Sequence, residues 1–297
     1  MRKCSVFVLC AILSLVNAIV PARAQDKTQN KIDVVASFSI LGDFVRNVGG
    51  ERIAVTTLVG PNGDAHVYTP TPRDAKKIAD AKLVVVNGLG FEGWLPRLVK
   101  SSGGKAVIVT ATQGIAPRKL DSHEDPHAWQ SVANARIYVA NIRDALAKAD
   151  PAGADTYKAN AEAYLAKLTT LDGDVKAAVA SIPSAHRKVI STHDAFGYFA
   201  AAYGIEFIAP QGVSTDSEPS AKDIAVIITQ LKISKIPAVF LENIADPRLM
   251  RRIAAETGAK IGGTLYSDSL TPENGDAPTY IDMVRHNIKA LTSALTS

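Results

Sequence analysis

Residues 155–182 read DTYKANAEAYLAKLTTLDGDVKAAVASI. Tyr157, Ala161, Tyr164, Leu165, Leu168, Leu171, Val175, Ala178, Val179 and Ile182 recur there at spacings of three, four and seven, the period of one apolar helix face. Pro183 ends the run. Gly173 weakens it by up to about 1 kcal/mol relative to alanine, so the segment is either one helix or two broken near that glycine. We read one helix over 154–183. At 1.5 Å per residue it spans roughly 40 Å, enough to run the height of two lobes.

On both sides of this helix, apolar strands alternate with helical patterns. Before it, strands are expected at Asp33–Phe38, Ile53–Val59, Leu83–Val86 and Ala106–Val109. Helical stretches separate them at Gly42–Val48, Arg73–Ala79 and around Phe91–Lys100. After it, strands at Val189–Ser191, Glu206–Ile208, Ala238–Leu241 and Lys260–Leu265 alternate with helices at Ala195–Ala202, Ser220–Ile233, Pro247–Thr257 and Pro278–Thr296. Such alternation implies parallel strands with crossover helices. The predicted fold is therefore α/β: two lobes, each a mostly parallel four-stranded sheet with flanking helices, joined by one long connecting helix. The expected division is a leader at 1–24, an N-terminal lobe at 25–153, the helix at 154–183 and a C-terminal lobe at 184–297.

The leader reads as a secretory signal peptide. Arg2 and Lys3 precede an apolar run from Cys4 to about Val20, and Ala22-Arg23-Ala24 offers a small-x-small cleavage site before Gln25. The alternative is an N-terminal membrane anchor. Phe7-Val8-Leu9 ahead of Cys10 lacks the small residues of a lipid-modified cysteine. Both cysteines, Cys4 and Cys10, lie in the leader, so the exported chain has no disulfide framework, and any metal site must use histidine and carboxylate. Removing Arg2, Lys3 and Arg23 leaves 30 basic against 29 acidic side chains, a net of +1. That balance gives no case for nucleic acid or an anionic membrane as partner.

Three of the six histidines fall in loops that follow predicted strands. His66 lies in Gly63-Asp64-Ala65-His66-Val67-Tyr68, between the Gly60–Asp64 turn cluster and Thr69-Pro70-Thr71-Pro72. His127 lies in Asp125-Pro126-His127-Ala128-Trp129, and His193 in Ser191-Thr192-His193-Asp194-Ala195-Phe196. Three imidazoles with a carboxylate such as Asp268 would complete a tetrahedral shell for a divalent ion. Each has a plainer reading: a surface histidine for His66, a helix cap for His193, a turn former for Asp268. His123, four residues before His127, is a solvated residue or a transient metal collector. Asp194 is expected to cap the following helix or to orient a histidine. His186 and His286 read as surface residues. Gly88-Leu89-Gly90 lacks the third glycine and acidic partner of a dinucleotide site. Ser217-Glu218-Pro219-Ser220 reads as a helix entry.

Across its mature length the chain resembles the periplasmic solute-binding proteins of zinc- and manganese-importing ABC transporters. The resemblance rests on the three histidine motifs, on Gly212-Val213-Ser214-Thr215 before Glu218-Pro219-Ser220-Ala221, and on Tyr266-Ser267-Asp268. It implies His66, His127, His193 and Asp268 as ligands in an interlobe cleft, limited hinge motion about the helix, and no catalysis. It also implies a monomer in the periplasm that hands one ion to an inner-membrane permease with its ATPase. Relatives specialised for manganese usually carry glutamate where this chain has His193, so zinc is favoured, with manganese or dual use as the alternative. A long histidine-rich loop, common in dedicated zinc members, is absent. Two other classes compete. A three-histidine zinc hydrolase needs an open coordination position, which Asp268 would fill. An exported adhesin or scaffold would show no dependence of stability on metal.

Overall fold

A computed structural model describes residues 31–120, 123–234 and 236–296. The leader at 1–24 lies outside these residues. Among them, no helix is long and apolar enough to cross a membrane.

The first sheet is built from β1 (Ile32–Phe38), β2 (Ile53–Val59), β3 (Leu83–Val86) and β4 (Val107–Thr110), with α1 (Ser39–Gly49), α2 (Pro72–Asp80) and α3 (Leu95–Ser102) as crossovers. All pairings are parallel, in the order β2-β1-β3-β4. A short antiparallel pair, β5 (Lys119–Leu120) and β6 (His123–Glu124), follows. Then come α4 (Val132–Ala149) and α5 (Ala154–Ala180). The second sheet contains β7 (Lys188–Ile190), β8 (Glu206–Ile208), β9 (Ala238–Glu242) and β10 (Lys260–Leu265), with α6 (Gly197–Tyr203), α7 (Ala221–Ser234), α8 (Arg248–Thr257) and α9 (Tyr280–Leu295). Its order is β10-β9-β7-β8, again parallel. Read from its other edge, β8-β7-β9-β10 reproduces the first sheet's order strand for strand. In both sheets the chain reverses direction between the first and third strands, where the crevice beyond the carboxyl ends receives ligands.

Period-two alternation distributes the core. Val34, Ala36, Leu83 and Val85 join one large apolar cluster, whereas Val35, Val84 and Val86 turn to the opposite face under Ile78, Leu95 and Leu98. In the second sheet Val189, Ala238 and Phe240 belong to the same large cluster, and Ile190 and Val239 face Ile227, Leu231, Met250 and Ile253. That shared cluster also holds α5's buried face, Tyr157, Ala161, Tyr164, Leu168, Leu171, Val175 and Val179. The helix is unbroken over 27 residues. Gly173 sits on its exposed face with nothing within 4 Å of where a Cβ would stand, so no partner bends the helix there.

Three expectations need correction. The sequence reading assigns no element to 132–149, where α4 runs. Its buried positions Val132, Ala135, Tyr138, Val139, Ile142 and Leu146 carry helical spacing, but asparagines and β-branched residues dilute the helix propensity. Helix α1 starts at Ser39, not Gly42, because its first seven residues are all buried and show no amphipathic contrast. After β7 the helix starts at Gly197, not Ala195, so His193 does not open it. Instead His193 forms an isolated parallel bridge with Gln211, and its backbone N–H is held by a carboxylate from β9.

Candidate metal centre

Loops beyond the strand ends bring the histidines together. His66 lies between β2 and α2, where its backbone N–H donates to Asp64 Oδ1 (2.9 Å) and the Trp94 indole N–H donates to the Ala65 carbonyl (2.8 Å). At the far end of this loop Asp74 accepts from the Thr71 backbone and hydroxyl and from Tyr68 in a capping box. These bonds and Lys77 overcome burial and lower the Asp74 carboxyl; the same pairing and burial push the Tyr68 phenol up to about 12. Both ends of the His66 loop are therefore pinned.

His127 precedes a turn of 3-10 helix at Ala128–Gln130. Its Nδ1 lies 2.8 Å from Asp125 Oδ1, which also accepts its backbone N–H at 3.0 Å. Asp125 Oδ2 accepts from Arg118 Nη1 (2.9 Å). His193 follows β7, and its Nδ1 lies 2.6 Å from Oε2 of Glu242, the last residue of β9. Glu242 Oε1 accepts the N–H groups of Thr192 and His193 at 2.7 and 3.0 Å. Asp125 and Glu242 thus take the Nδ1 side of their imidazoles and turn each Nε2 lone pair toward the cleft. This carboxylate–histidine arrangement orients metal-binding imidazoles. The expectation that Asp194 does this is corrected by Glu242, which reaches His193 from the neighbouring strand. A glutamate closing the apolar run Ala238–Leu241 was the signal for it.

Asp268 follows β10, in a loop fastened to the first half. The Trp129 indole and the Gln130 amide both donate to the Ser267 carbonyl, at 2.9 and 2.7 Å. The backbone N–H of Asn62 donates to the Leu270 carbonyl (2.9 Å).

The result is a tight convergence. One donor atom from each of His66, His127, His193 and Asp268 lies within 4.8 Å of the others. Asp268 Oδ2 is 3.1 Å from His66 Nε2 and 3.2 Å from His193 Nε2, while Oδ1 is 3.6 Å from His127 Nε2. His66 Nε2 and His127 Nε2 are 3.3 Å apart. The side chains of His127, His193 and Asp268 are fully enclosed, and that of His66 is 4% exposed. His193 Nε2 and both Asp268 oxygens are buried with no hydrogen-bond partner. An uncompensated buried carboxylate is costly, so these atoms call for a cation. With no metal, protons serve: burial alone would lower His127 and His193, but Asp268 with Asp125, and Glu242 with Asp268, outweigh it and raise both. The same imidazoles hold Asp268 well below the usual carboxylate range despite its burial. A divalent ion would replace those protons, and the donor set is one that zinc accepts.

The remaining histidines lie elsewhere. His123 is exposed on β6. His186 and His286, expected on the surface, are half-buried: His186 Nδ1 contacts the Leu295 carbonyl and His286 Nε2 that of Thr264.

Manganese-binding lipoprotein MntA of Halalkalibacterium halodurans is 37% identical to this chain over 266 residues, covering 89% of each chain. Iron-binding protein YfeA of Yersinia pestis is 33% identical over 298 residues, covering 98% of this chain and 95% of its own. The solved structure of the periplasmic zinc-binding protein TroA from Treponema pallidum superposes with a TM-score of 0.87 at 30% identity, covering 90% of this chain and all of that one. The profile of ZnuA, the periplasmic component A of the zinc-uptake complex, matches residues 34–294, and the chain belongs to that family.

Proposed function

We propose that the protein captures one divalent transition-metal ion through His66, His127, His193 and Asp268 and delivers it to an inner-membrane ABC permease with its ATPase. The observation that carries this reading is the orphaned Asp268 carboxylate facing three imidazole nitrogens. No step is catalytic: the ion is cargo. The protein works in the periplasm as a monomer, after removal of the leader near Ala24. Its two lobes, 25–153 and 184–297, flank the ion and are joined by the helix at 154–183.

Zinc is the favoured cargo. A zinc tetrahedron with bonds of about 2.0–2.1 Å has edges of about 3.3–3.4 Å. Three edges of that size are present, from Asp268 Oδ2 to His66 Nε2 and His193 Nε2 and from His66 Nε2 to His127 Nε2, at 3.1, 3.2 and 3.3 Å, within a donor set that spans no more than 4.8 Å. Three nitrogens suit zinc better than the harder manganese. The second reading, manganese or dual use, is favoured by the manganese-binding name of MntA. Stripped protein titrated separately with zinc and manganese, then in competition, decides between them. One zinc per chain that excess manganese does not displace supports zinc. Comparable retention of manganese moves the assignment to dual use. Binding of neither ion refutes the four-ligand shell.

A further inference from the structure

Among the four clustered side chains, His66 differs in two ways. Its ring alone keeps any exposure. Among the described residues, no carboxylate meets its Nδ1 as Asp125 and Glu242 meet those of His127 and His193. His66 also lines a cavity of about 860 Å³ that reaches the surface between the loop after β3 and the segment after β8. Leu89 and Phe91 form one wall, and the Phe91 ring meets the His66 ring edge-on with centroids 4.7 Å apart.

The cavity's charge is one-sided. Glu124, Asp216, Glu218 and Asp223 line it, all exposed, together with His123, and among the described residues no lysine or arginine does. Two cations outside the lining act on these carboxylates, Arg248 on Glu218 and Lys222 on Asp223. A mature chain of 30 basic against 29 acidic side chains, a net of +1, places four carboxylates around one opening whose inner end is a nearly buried imidazole. A low-dielectric cleft lined by one sign of charge concentrates the opposite ion and speeds its arrival.

We infer that this vestibule is the route of the divalent cation, with Glu124, Asp216 and Glu218 steering it and His66 making first contact on entry and last contact on exit. The inference rests on the ligand reading of the four clustered side chains. It assigns the vestibule carboxylates a role in rate, not in the final shell.

The test is stopped-flow association of zinc with the full mature chain, read by tryptophan fluorescence or a competing chromophoric chelator. A triple variant, Glu124→Gln with Asp216→Asn and Glu218→Gln, is compared with a control of equal charge change on α5, Asp155→Asn with Glu162→Gln and Asp174→Asn. Asp223 is left intact because it caps α7 through Ser220. At an ionic strength of about 10 mM, where screening extends about 30 Å, the vestibule variant should bind roughly tenfold more slowly than wild type. At about 1 M, where it extends about 3 Å, the difference should shrink below about twofold. Dissociation and the one-to-one stoichiometry should stay unchanged, and the control should match wild type. Equal association rates at low salt, or an equal fall in the control, overturn the route. So does a wild-type rate that ignores salt, whatever the variants do. A wild-type chain that binds no zinc at equilibrium instead overturns the ligand reading beneath it.

Discussion

Glu242→Gln changes one buried group and should disable a ligand without removing it. The glutamate accepts the N–H groups of Thr192 and His193 through Oε1 and faces His193 Nδ1 at 2.6 Å through Oε2. A glutamine can keep the first two bonds with its carbonyl. Its amide then points N–H groups at Nδ1, which must become the acceptor. The ring proton moves to Nε2, the atom facing Asp268 Oδ2 at 3.2 Å. Coordination then requires displacing that proton or turning the side chain. Loss of such an orienting carboxylate weakens metal affinity about 10- to 100-fold, or roughly 1.4–2.8 kcal/mol. Because the two backbone bonds survive, the metal-free protein should lose less, about 1 kcal/mol for the exchanged hydrogen bond. Chelator competition at pH 7.5 measures the first quantity and urea unfolding of stripped protein the second. Zinc affinity within about twofold of wild type would refute the claim that Glu242 fixes the ring's tautomer.

Asp268→Asn should abolish the carboxylate's pull on the cation and reduce zinc affinity at least about 100-fold while the metal-free chain still folds; calorimetric titration checks it. The pH dependence has a definite sign. His127 and His193 are raised in the metal-free fold, so their contribution is complete below about pH 6.5 and fades as pH rises through the raised values. Asp268 is depressed, so its contribution is complete above about pH 3.9 and fades on acidification. Stripped protein should therefore be most stable between about pH 4 and 6.5, and zinc, which competes with the same protons, should raise the melting temperature more as pH increases. Scanning calorimetry from pH 5 to about 9 with and without zinc tests this; a metal-free melting temperature that is flat across that range contradicts it. Leu168→Ala opens a cavity under the fully buried face of α5 and should cost about 2–5 kcal/mol by denaturant unfolding.

Much of this architecture was legible in residue order. Leu83-Val84-Val85-Val86 reads as a buried strand at its observed bounds, and the spacing of Tyr157 through Val179 identifies α5. What was less legible has a physical cause. Helix α4 buries the β-branched Val132, Val139 and Ile142 beside Asn134 and Asn141, so period and propensity pull apart. The three histidines stood out because histidine is rare here and turn residues bracket each one. Glu242 and Asp125 did not, because a carboxylate's task as an orienting acceptor depends on which strand lies beside it, and strand order is a tertiary fact. Asp194, adjacent in sequence to His193, drew the role that Glu242 holds from 49 residues away.

The Ser267 carbonyl has a mechanical consequence. It accepts from two neighbouring side chains, Trp129 and Gln130, two and three residues after His127, while Asp268 is the next residue along its own loop. Separating those loops loads both hydrogen bonds in parallel, so they resist together and fail together. His127 and Asp268, drawn from opposite halves of the chain, are thus held in register through one shared acceptor.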